Sequence, residues 1–275
     1  EIMYPKGHPY NWSVIGSMED LSAASMDDVK SFFRTYYVPN NAVLALSGDF
    51  DQKQATAWIE KYFGKIAKGA EITRPNPTQP KLDREIRKVH EDAVPLPRVS
   101  LVWHSVPQYS NDEAALDMLS NILSSGRSSR LQSNLQYGKE LVQSINAFNG
   151  TNEIAGLFQI TATARPGKNL DDIEKEINAE IERLKKEAPT ADEMNRAFTV
   201  RESGFVYRLQ SAFGKGSQLT NYAGYLKKPD FFQTDLDRYA KVAPADVQRV
   251  ANQYLTANRL VQSYVPSKTP SQRPN

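Results

Sequence analysis

The sequence predicts an α+β fold in which helices cover one face of an antiparallel or mixed β-sheet. In most of the chain, strand-like segments come first and long amphipathic helices follow, which is the order typical of this class. A unit of one helix, an Asn-containing break and one apolar strand also occurs twice, in residues 27–50 and 245–268. Because internal similarity of this kind indicates duplication, we expect a duplicated module whose first copy is truncated.

The two copies of this unit match when Asp28 is placed over Asp246, at an offset of 218 residues. Apolar side chains then recur at i, i+3, i+4 and i+7 in both helices, as expected for helices with one buried face. These positions are Val29, Phe32, Phe33 and Tyr36 in the first copy and Val247, Val250, Ala251 and Tyr254 in the second. Two amphipathic helices can also match by chance, but the shared order of helix, Asn break and strand favours duplication.

The offset is close to a common domain size and indicates how the chain is divided. The second copy lies at the end of its module, whereas almost no module precedes the first copy. We therefore expect residues 1–72 to be the C-terminal part of a first domain, 73–80 a Pro-rich linker, 81–268 a complete second domain, and 269–275 a tail. Most of the first domain would be missing, which would leave apolar surface of residues 1–70 uncovered. We therefore expect this chain either to self-associate or to lose order before Asp27.

Hydrophobic periodicity and capping residues predict the elements of the first segment. Residues 1–17 are rich in Pro and Gly and are expected to be irregular. Ser25 is expected to cap a helix that breaks at Pro39, before a strand that ends near Ser47. Another helix follows over residues 51–66. Its inward-facing residues are predicted to be Ala55, Ile59, Tyr62 and Phe63.

The second domain is predicted to begin with strands and to continue with helices up to the repeated unit. The strands are expected at 84–90, 98–106, 141–149 and 153–164, and FNGTN (148–152) reads as a hairpin-like connection. The helical stretches are expected at 111–124, 128–136, 170–187, 190–209 and 213–241. In the second strand, Val99, Leu101 and Trp103 alternate with Ser100, Val102 and His104, so one face of that strand is strongly apolar.

Composition places the chain among ordinary globular proteins and excludes several classes of function. Hydrophobic residues make up 40% of the chain and charged residues 24%, and a net charge of only +2 argues against nucleic acid as a partner. No apolar run reaches the ~18–20 residues that a membrane span requires. The absence of cysteine excludes disulfides and thiolate zinc sites.

The three histidines do not form a metal-binding pattern. Two zinc ligands on one helix stand three or four residues apart, whereas His8, His90 and His104 are widely separated. We expect His8, in the GHPY stretch, to hydrogen-bond loop backbone, and His104 to lie on the strand face opposite Trp103. We expect His90 to be exposed beside Glu91.

The stretch SSGRSSRL (124–131) has some features of an anion-binding loop before a helix, with Gly126 and two arginines. It lacks the G-x-x-x-x-G-K-[ST] pattern of a phosphate loop. The alternative is a turn between two helices in which Ser128 caps the second helix, and the single glycine favours this alternative.

The acidic residues and serines do not indicate a catalytic centre either. The sequence contains no G-x-S-x-G motif for a serine hydrolase. No pair of carboxylates is singled out by a buried, apolar setting. The carboxylates considered are Asp112, Glu113, Asp117, Glu140 and Glu153.

Several motifs nevertheless resemble those of one family. HPYNWSVIGSMEDL (8–21), residues 27–50 and WIEKYFGKI (58–66) resemble the insulinase/pitrilysin-type zinc metallopeptidases, whose relatives include the mitochondrial processing peptidases. VSLVWHSVP (99–107) and ILSSGRSSRLQSNLQ (122–136) are similar to the following domain of that family. The resemblance implies homologous α+β domains that occur in pairs, and pairs that close on one another like a clamshell.

The resemblance also implies zinc chemistry that this sequence does not itself contain. In the family, an H-x-x-E-H motif and a distant glutamate hold the ion, and the glutamate of the motif acts as base on the bound water. No H-x-x-E-H occurs in this sequence, and the family places it early in the first domain. We therefore expect zinc in the full-length protein and none in this fragment. No catalytic, cofactor-binding or metal-binding residue is assigned.

A departure from the family pattern indicates which half is present. The resemblance implies that a non-catalytic half would carry an Arg and a Tyr seven residues apart, after the S-R-L turn. The corresponding positions here are Gln136 and Gln143. This difference implies the rear of the zinc-bearing half. The alternative is a half that has lost both functions and serves as a scaffold.

The family implies that this chain forms part of the wall of a peptide-degrading chamber in a zinc metalloendopeptidase, and that the fragment alone is inactive. The substrate would be a peptide or unfolded polypeptide added as a strand to a sheet edge, and a second homologous half would be supplied by the same chain or another subunit. Phe148 and Phe158 are candidates for a substrate pocket, with core packing as the alternative. A different class of function is a non-catalytic assembly subunit or peptide-binding scaffold. Bacterial members are commonly exported, which favours the periplasm.

Overall fold

The computed structural model describes residues 1–267, so the predicted tail at 269–275 lies outside the described residues. Its helices are α1 (Met18–Ala23), α2 (Met26–Tyr36), α3 (Gln52–Phe63), α4 (Glu113–Ser124), α5 (Leu170–Lys186), α6 (Ala191–Arg208), α7 (Ala212–Asn221), α8 (Phe232–Ala240) and α9 (Pro244–Tyr254). Its strands are β1 (Ile86–Asp92), β2 (Arg98–Ser105), β3 (Val142–Thr151), β4 (Gly156–Ala164) and β5 (Leu260–Pro266).

The chain divides into two compact units. Unit 1 contains Lys6–Pro77 and Ser203–Asp235, and unit 2 contains Thr78–Glu202 together with Ile2–Pro5 and the described residues from Leu236 to Ser267. The first division, after Pro77, falls inside the predicted linker at 73–80. Ser203–Asp235 belongs to unit 1, although the predicted second domain includes these residues.

Unit 2 is built on a five-stranded sheet with the order β1-β5-β2-β4-β3. β1 pairs with β5 in parallel, and the other neighbouring strands are antiparallel. The sheet is therefore mixed, and the predicted α+β class is confirmed. The parallel pair joins the first and last strands of the unit. Because β5 lies between β1 and β2, β1 is connected to the rest of the sheet only through the strand of the repeated unit.

Helices α4, α5 and α9 pack on one face of this sheet and form the core with it. Val99, Leu101 and Trp103 of β2 point into that core, as the alternation predicted. Trp103 is buried, and its indole N–H donates to the Thr256 carbonyl at 2.7 Å, so its one polar atom is satisfied. Phe158 of β4 meets the Trp103 ring edge to face at 6.4 Å.

Three predicted elements of the second domain differ from the structure. The helix expected at 128–136 is mainly a π-helix, Gln132–Gly138. FNGTN is not the hairpin turn, because β3 continues to Thr151 and the turn is closed by the Asn152 N–H donating to the Ala155 carbonyl at 3.0 Å. The helical stretch at 213–241 is divided into α7, a second π-helix and α8.

The repeated unit recurs in the structure with matching ends. α2 and α9 each contain 11 residues. The offset of 218 residues aligns the first residue of α2 with the first of α9, and the last with the last. The Ser25 N–H donates to Asp28 Oδ2 at 2.9 Å, and the Ala243 N–H donates to Asp246 Oδ2 at 3.0 Å. Equivalent aspartates, Asp28 and Asp246, therefore cap the two helices by the same backbone contact, which supports the predicted duplication.

The strand predicted to end near Ser47 is wrong for the described part of the chain. Residues 42–47 belong to no helix or strand in the part of the chain that the structure describes, whereas the equivalent segment in unit 2 is β5. A strand requires partners for its N–H and C=O groups, and the apolar sequence of this segment does not supply them. An apolar run alone does not make a strand, because the pairing depends on another segment.

The inward face predicted for α3 is confirmed in part. Ala55 is buried and Ile59 is partly buried, but Tyr62 and Phe63 are exposed. The helical period was correct, and the side chains remain uncovered because no second layer covers this face among residues 1–267. No helix in that range is long and apolar enough to cross a membrane.

Candidate functional site

The histidines of the loop and of β2 contact backbone groups. His8 is 4% exposed, and its Nδ1 accepts a hydrogen bond from the Tyr10 N–H at 3.0 Å, which confirms the predicted loop contact. His104 lies on the face opposite Trp103, as predicted. Its Nε2 donates to the Met3 carbonyl at 2.5 Å, and its ring meets the edge of Tyr4 at 5.8 Å.

His90 has a different environment from the one predicted. It is partly buried rather than exposed, and its ring stacks on Tyr264 at 5.0 Å with an angle of 23°. Sequence reasoning missed this contact because Tyr264 lies on β5, the parallel neighbour of β1. Within residues 1–267, no three His, Asp or Glu side chains are grouped so that they could hold a metal ion.

Two carboxylates of α4 are drawn into a polar network, which the sequence did not indicate. Glu113 is buried and accepts from Arg238 Nη2 at 2.8 Å and from Thr151 Oγ1 at 2.8 Å. Asp117, one turn further along α4, accepts from Tyr239 Oη at 2.7 Å and from Asn149 Nδ2 at 2.8 Å. Burial raises the pKa of Asp117 above its usual value, although both donors act in the opposite direction.

This network joins α4, β3 and α8 through side-chain hydrogen bonds. Burial and the neighbouring Asp117 carboxylate raise the pKa of Tyr239, so the phenol stays protonated and donates. The Arg201 guanidinium lies 4.1 Å from the Tyr239 ring, over its face. Because these hydrogen bonds cross-link three elements of the fold, we interpret the network as structural.

The other carboxylates considered lie at the surface or in ion pairs. Asp112 accepts from Arg249 Nη2 at 2.8 Å and from Tyr254 Oη at 2.7 Å, and the Arg249 contact lowers its pKa. Glu140 is exposed with a φ of 51°, and Glu153 is exposed at the β3–β4 turn.

The SSGRSSRL stretch is a turn, and its arginines contact protein groups. Gly126 has a φ of 81°, and its carbonyl accepts from the Ser129 N–H at 3.0 Å. The Arg127 guanidinium lies 4.5 Å from the ring of Tyr137. Arg130 donates to Glu193 at 2.7 and 2.9 Å, and this bidentate contact lowers the pKa of Glu193 to about 2.

The capping residue predicted for the following helix is wrong. Ser128 makes no side-chain hydrogen bond within residues 1–267, and the helix is preceded by Ser129, whose hydroxyl donates to the Gly126 carbonyl at 2.6 Å. The turn reading of this stretch is confirmed. An anion-binding reading has no support, because both arginines are held by other side chains.

The two glutamines at the divergent positions are neighbours in space. Gln136 Nε2 donates to the Gln143 carbonyl at 3.1 Å, across the loop between the π-helix and β3. Arg165 closes the same loop, with Nη2 donating to the Gln136 carbonyl at 3.2 Å and Nε to the Val142 carbonyl at 3.3 Å. These hydrogen bonds hold Gln136 and Gln143 side by side at the loop between the π-helix and β3.

The face of the sheet opposite α4, α5 and α9 carries mostly polar side chains, and we call it the open face. The strand register places its residues in rows across the sheet. The first row is His90, Tyr264, Arg98, Thr163 and Ser144; the second is Lys88, Gln262, Ser100, Thr161 and Asn146; the third is Ile86, Leu260, Val102, Gln159 and Phe148.

The two phenylalanines considered for a pocket lie on opposite faces. Phe148 is 59% exposed on the open face and stays a candidate for contact with a ligand. Phe158 is fully buried in the core, so core packing is confirmed for this residue. The difference follows from the alternation of side chains in neighbouring strands, where Phe148 pairs with Gln159 and not with Phe158.

Unit 1 exposes a second surface, which is strongly apolar. The rings of α2 contact one another, with Phe33 and Tyr37 at 4.3 Å and Phe32 and Tyr36 at 4.8 Å, but they remain exposed. We call the following residues of α2 and α3 the apolar face: Val29, Phe32, Phe33, Tyr36, Trp58, Tyr62 and Phe63. A surface of this composition indicates an interaction site.

Comparison with known proteins gives a consistent picture. Residues 23–200 match the family model described as the peptidase M16 inactive domain. The zinc protease PqqE of Helicobacter pylori is 32% identical over 253 residues, covering 90% of this chain and 56% of that protein. The mitochondrial-processing peptidase subunit beta of Lentinula edodes is 25% identical over 269 residues, covering 91% of this chain and 56% of that protein.

The fold leads to the same family. The crystal structure of a protease from Helicobacter pylori superimposes with a TM-score of 0.82 at 28% identity, covering 94% of this chain and 63% of that one. The chain spans just over half the length of the two curated relatives named above. The resemblance to the insulinase-type zinc peptidases is thereby confirmed, and the chain belongs to the peptidase M16 family.

Proposed function

We propose that this chain is part of a zinc-dependent metalloendopeptidase that degrades or processes peptides inside a chamber, and that it forms part of the chamber wall. The observation that carries the proposal is its family membership together with the 32% identity, over nearly the whole chain, to a zinc protease. The activity, substrates and partners of the whole protein are inferred from these relatives.

The described residues do not fit a zinc site. His8 accepts from backbone, His90 is stacked on Tyr264, and His104 donates to a carbonyl. Zinc in this family needs three protein ligands and an open position for water, a geometry that these separated side chains do not provide. We propose that the metal is held by another part of the full-length peptidase, and we assign no zinc-dependent step to these residues.

The open face supports the role of a chamber wall. Its hydroxyl and amide side chains can hydrogen-bond to the main chain of an extended peptide whatever its sequence, and Phe148 offers an apolar contact beside them. The outer edges of β1 and β3 are further places where a peptide strand can be added. A wall of this kind would bind unfolded polypeptide without demanding one sequence.

The apolar face supports a partner in the full-length protein. Its exposed rings on α2 and α3 would pack against the remainder of a first domain, and a second homologous half, in the same chain or in another subunit, would close the chamber. We also propose export to the periplasm. Fractionation of the native host with antibody against this chain tests the location, and recovery in the cytosolic fraction would contradict it.

The activity is tested by comparing this chain with the longest product of its gene. We expect the longer product to bind about one zinc ion per chain and to cleave a quenched fluorescent peptide, with the activity lost on chelation. We expect the chain of 275 residues to bind no stoichiometric zinc and to cleave nothing. Zinc measured by mass spectrometry at one per chain in the shorter protein would overturn the assignment.

A second candidate is a non-catalytic assembly subunit or peptide-binding scaffold. One observation favours it: the matching family model describes an inactive domain. Gln136 and Gln143, which stand where a working non-catalytic half would carry an Arg and a Tyr, agree with a scaffold as well as with the rear of the zinc-bearing half. The coding sequence upstream of Glu1 separates the two candidates. An H-x-x-E-H motif followed by a distant glutamate supports the peptidase, and its absence supports the scaffold.

A further inference from the structure

We propose that one corner of the open face binds acidic segments of extended polypeptide. The corner consists of Lys88, His90, Arg98, Gln262 and Tyr264, and we call it the cationic corner. The inference extends the proposed function, because it names the chemistry of the polypeptide that a chamber wall of this kind would hold. It is argued from the register, the contacts and the charges of these residues.

The register brings the corner together from three strands that are distant in the sequence. His90 of β1 pairs with Tyr264 of β5, and Tyr264 pairs with Arg98 of β2. Lys88 and Gln262 occupy the next row on the same face. With neighbouring strands about 4.8 Å apart, the backbones of His90 and Arg98 are separated by about 10 Å. Side chains as long as Arg and Lys can therefore reach one ligand.

Four of the five side chains of the corner, all except Lys88, contact one another before any ligand arrives. The Arg98 guanidinium lies 5.0 Å from the Tyr264 ring, and His90 stacks on the same ring. Gln262 Nε2 lies 3.0 Å from both His90 Nε2 and Tyr264 Oη. These contacts hold the His90 ring between Gln262 and Tyr264. Preorganisation of this kind lowers the entropic cost of binding.

The charges of the corner are not neutralised by the protein. Neither Arg98 nor Lys88 forms an ion pair within residues 1–267, and both are exposed. By contrast, Arg87, on the opposite face of β1, pairs with Glu85 and Glu174 at 2.6 Å each. Glu91 follows His90 in β1 but lies on the opposite face of the strand. The next side chain on the face of the corner is Asp92, whose Oδ1 accepts from the Ala93 N–H at 2.7 Å. A surplus of positive charge remains for a ligand.

The neighbouring residues favour polypeptide as that ligand. Beyond the corner, the same two rows continue with hydroxyl and amide groups, for example Ser100 and Thr161, whose hydroxyl oxygens lie 3.0 Å apart. These groups are neutral, and they match the donors and acceptors of a peptide main chain. The corner therefore adds a preference for Asp and Glu side chains to a surface that is otherwise indifferent to sequence.

The test uses the whole chain and a pair of short fluorescent peptides that are identical except that Glu in one is Gln in the other. Binding is measured by fluorescence anisotropy at low and at moderate salt. We expect the acidic peptide to bind more tightly than its Gln counterpart, and the difference to shrink with salt. In the Lys88→Gln/Arg98→Gln variant, we expect the affinity for the acidic peptide to fall about tenfold.

The control variant is Lys175→Gln, which removes an exposed charge from α5 on the helix-covered side of the sheet. We expect its affinity for the acidic peptide to stay within about twofold of the unmodified chain. Equal binding of the two peptides, no binding of either, or an equal loss in both variants would overturn the inference, as would tighter binding of a single-stranded oligonucleotide through the same residues. Because the readout is binding, failure here leaves the cleavage test of the longer product unaffected.

Discussion

Val29 of α2 and Val247 of α9 occupy the same position of the internal repeat, but Val29 is 46% exposed and Val247 is fully buried. The two helices have the same length and the same aspartate cap, so the difference does not come from the helices themselves. The difference in exposure comes from the elements that pack against each helix. In unit 2 the strand of the repeat is part of the sheet, and in unit 1 the equivalent segment, residues 42–47, has no strand partner within residues 1–267.

This pair of valines predicts unequal effects of one substitution. Val247→Ala removes two buried methyl groups and leaves a cavity, which should lower the free energy of unfolding by about 2 kcal/mol. Val29→Ala changes an exposed position and should cost about 0.5 kcal/mol or less. Urea denaturation followed by circular dichroism measures both. Similar losses in the two variants would show that the apolar face is covered in solution.

The apolar face predicts self-association of the isolated chain. Sedimentation velocity at increasing concentration should show species larger than a monomer, because the exposed rings can be covered by a second copy. The Phe32→Ser/Trp58→Ser variant should shift the distribution towards monomer. Tyr207→Ser, at an exposed position of α6, serves as the control and should leave the distribution unchanged. A uniform monomer at every concentration would contradict this expectation.

The ion pair between Arg130 and Glu193 predicts a defined acid dependence of stability. Hydrogen bonds from Arg130 lower the pKa of Glu193 from 4.5 to about 2, so the pair stabilises the fold fully above pH 4.5 and loses this contribution as the pH falls towards 2. Glu193→Gln should therefore be less stable by about 2 kcal/mol near neutral pH. The difference from the unmodified chain should shrink at low pH.

The matched control for this prediction is Glu182→Gln. Glu182 pairs with Lys185 at 2.7 Å but is exposed, so its loss should cost about 0.5 kcal/mol or less. Thermal unfolding between acid and neutral pH compares the three proteins. A Glu193→Gln variant whose stability follows that of the unmodified chain at every pH would mean that the bidentate contact contributes nothing.

The contact between Tyr239 and Asp117 predicts a dependence in the opposite sense. The pKa of Asp117 is raised by burial, so the folded state binds its proton more tightly and stability falls as the pH rises from 3.8 through the raised pKa. Tyr239→Phe removes a donor to the carboxylate and raises that pKa further. We expect a loss of about 2 kcal/mol near neutral pH and a smaller loss in acid. Chemical denaturation at both pH values measures it, and an equal loss at both would contradict the assignment.

Local patterns in the sequence predicted a large part of this fold. The helical period identified α2 and α9 as copies, and the alternation in β2 identified Trp103 as a core residue. The turn reading of 124–131 and the backbone contact of His8 also followed from neighbouring residues. These features depend on side chains a few positions apart, which are close together in any conformation of that element.

The candidate surfaces were predicted less well, because their residues meet only through long-range pairing. Tyr239 meets Asp117 across 122 residues, and the cationic corner joins the first and last strands of unit 2. The register of a sheet follows from backbone hydrogen bonds between distant segments, and a shift of one residue moves every side chain to the other face. No periodicity within β1, β2 or β5 contains that information.

The sequence by itself determined the family, the α+β class and the internal repeat, because each is encoded in local order and spacing. The tertiary structure decided which copy of the repeat is covered, which phenylalanine is buried, and which charges share a face. The physical reason is that a side chain is buried only when another surface covers it, and a segment forms a strand only when another backbone accepts and donates its hydrogen bonds. Residues 42–47 carry the pattern of a strand, but only a partner segment can complete the hydrogen bonds that make them one.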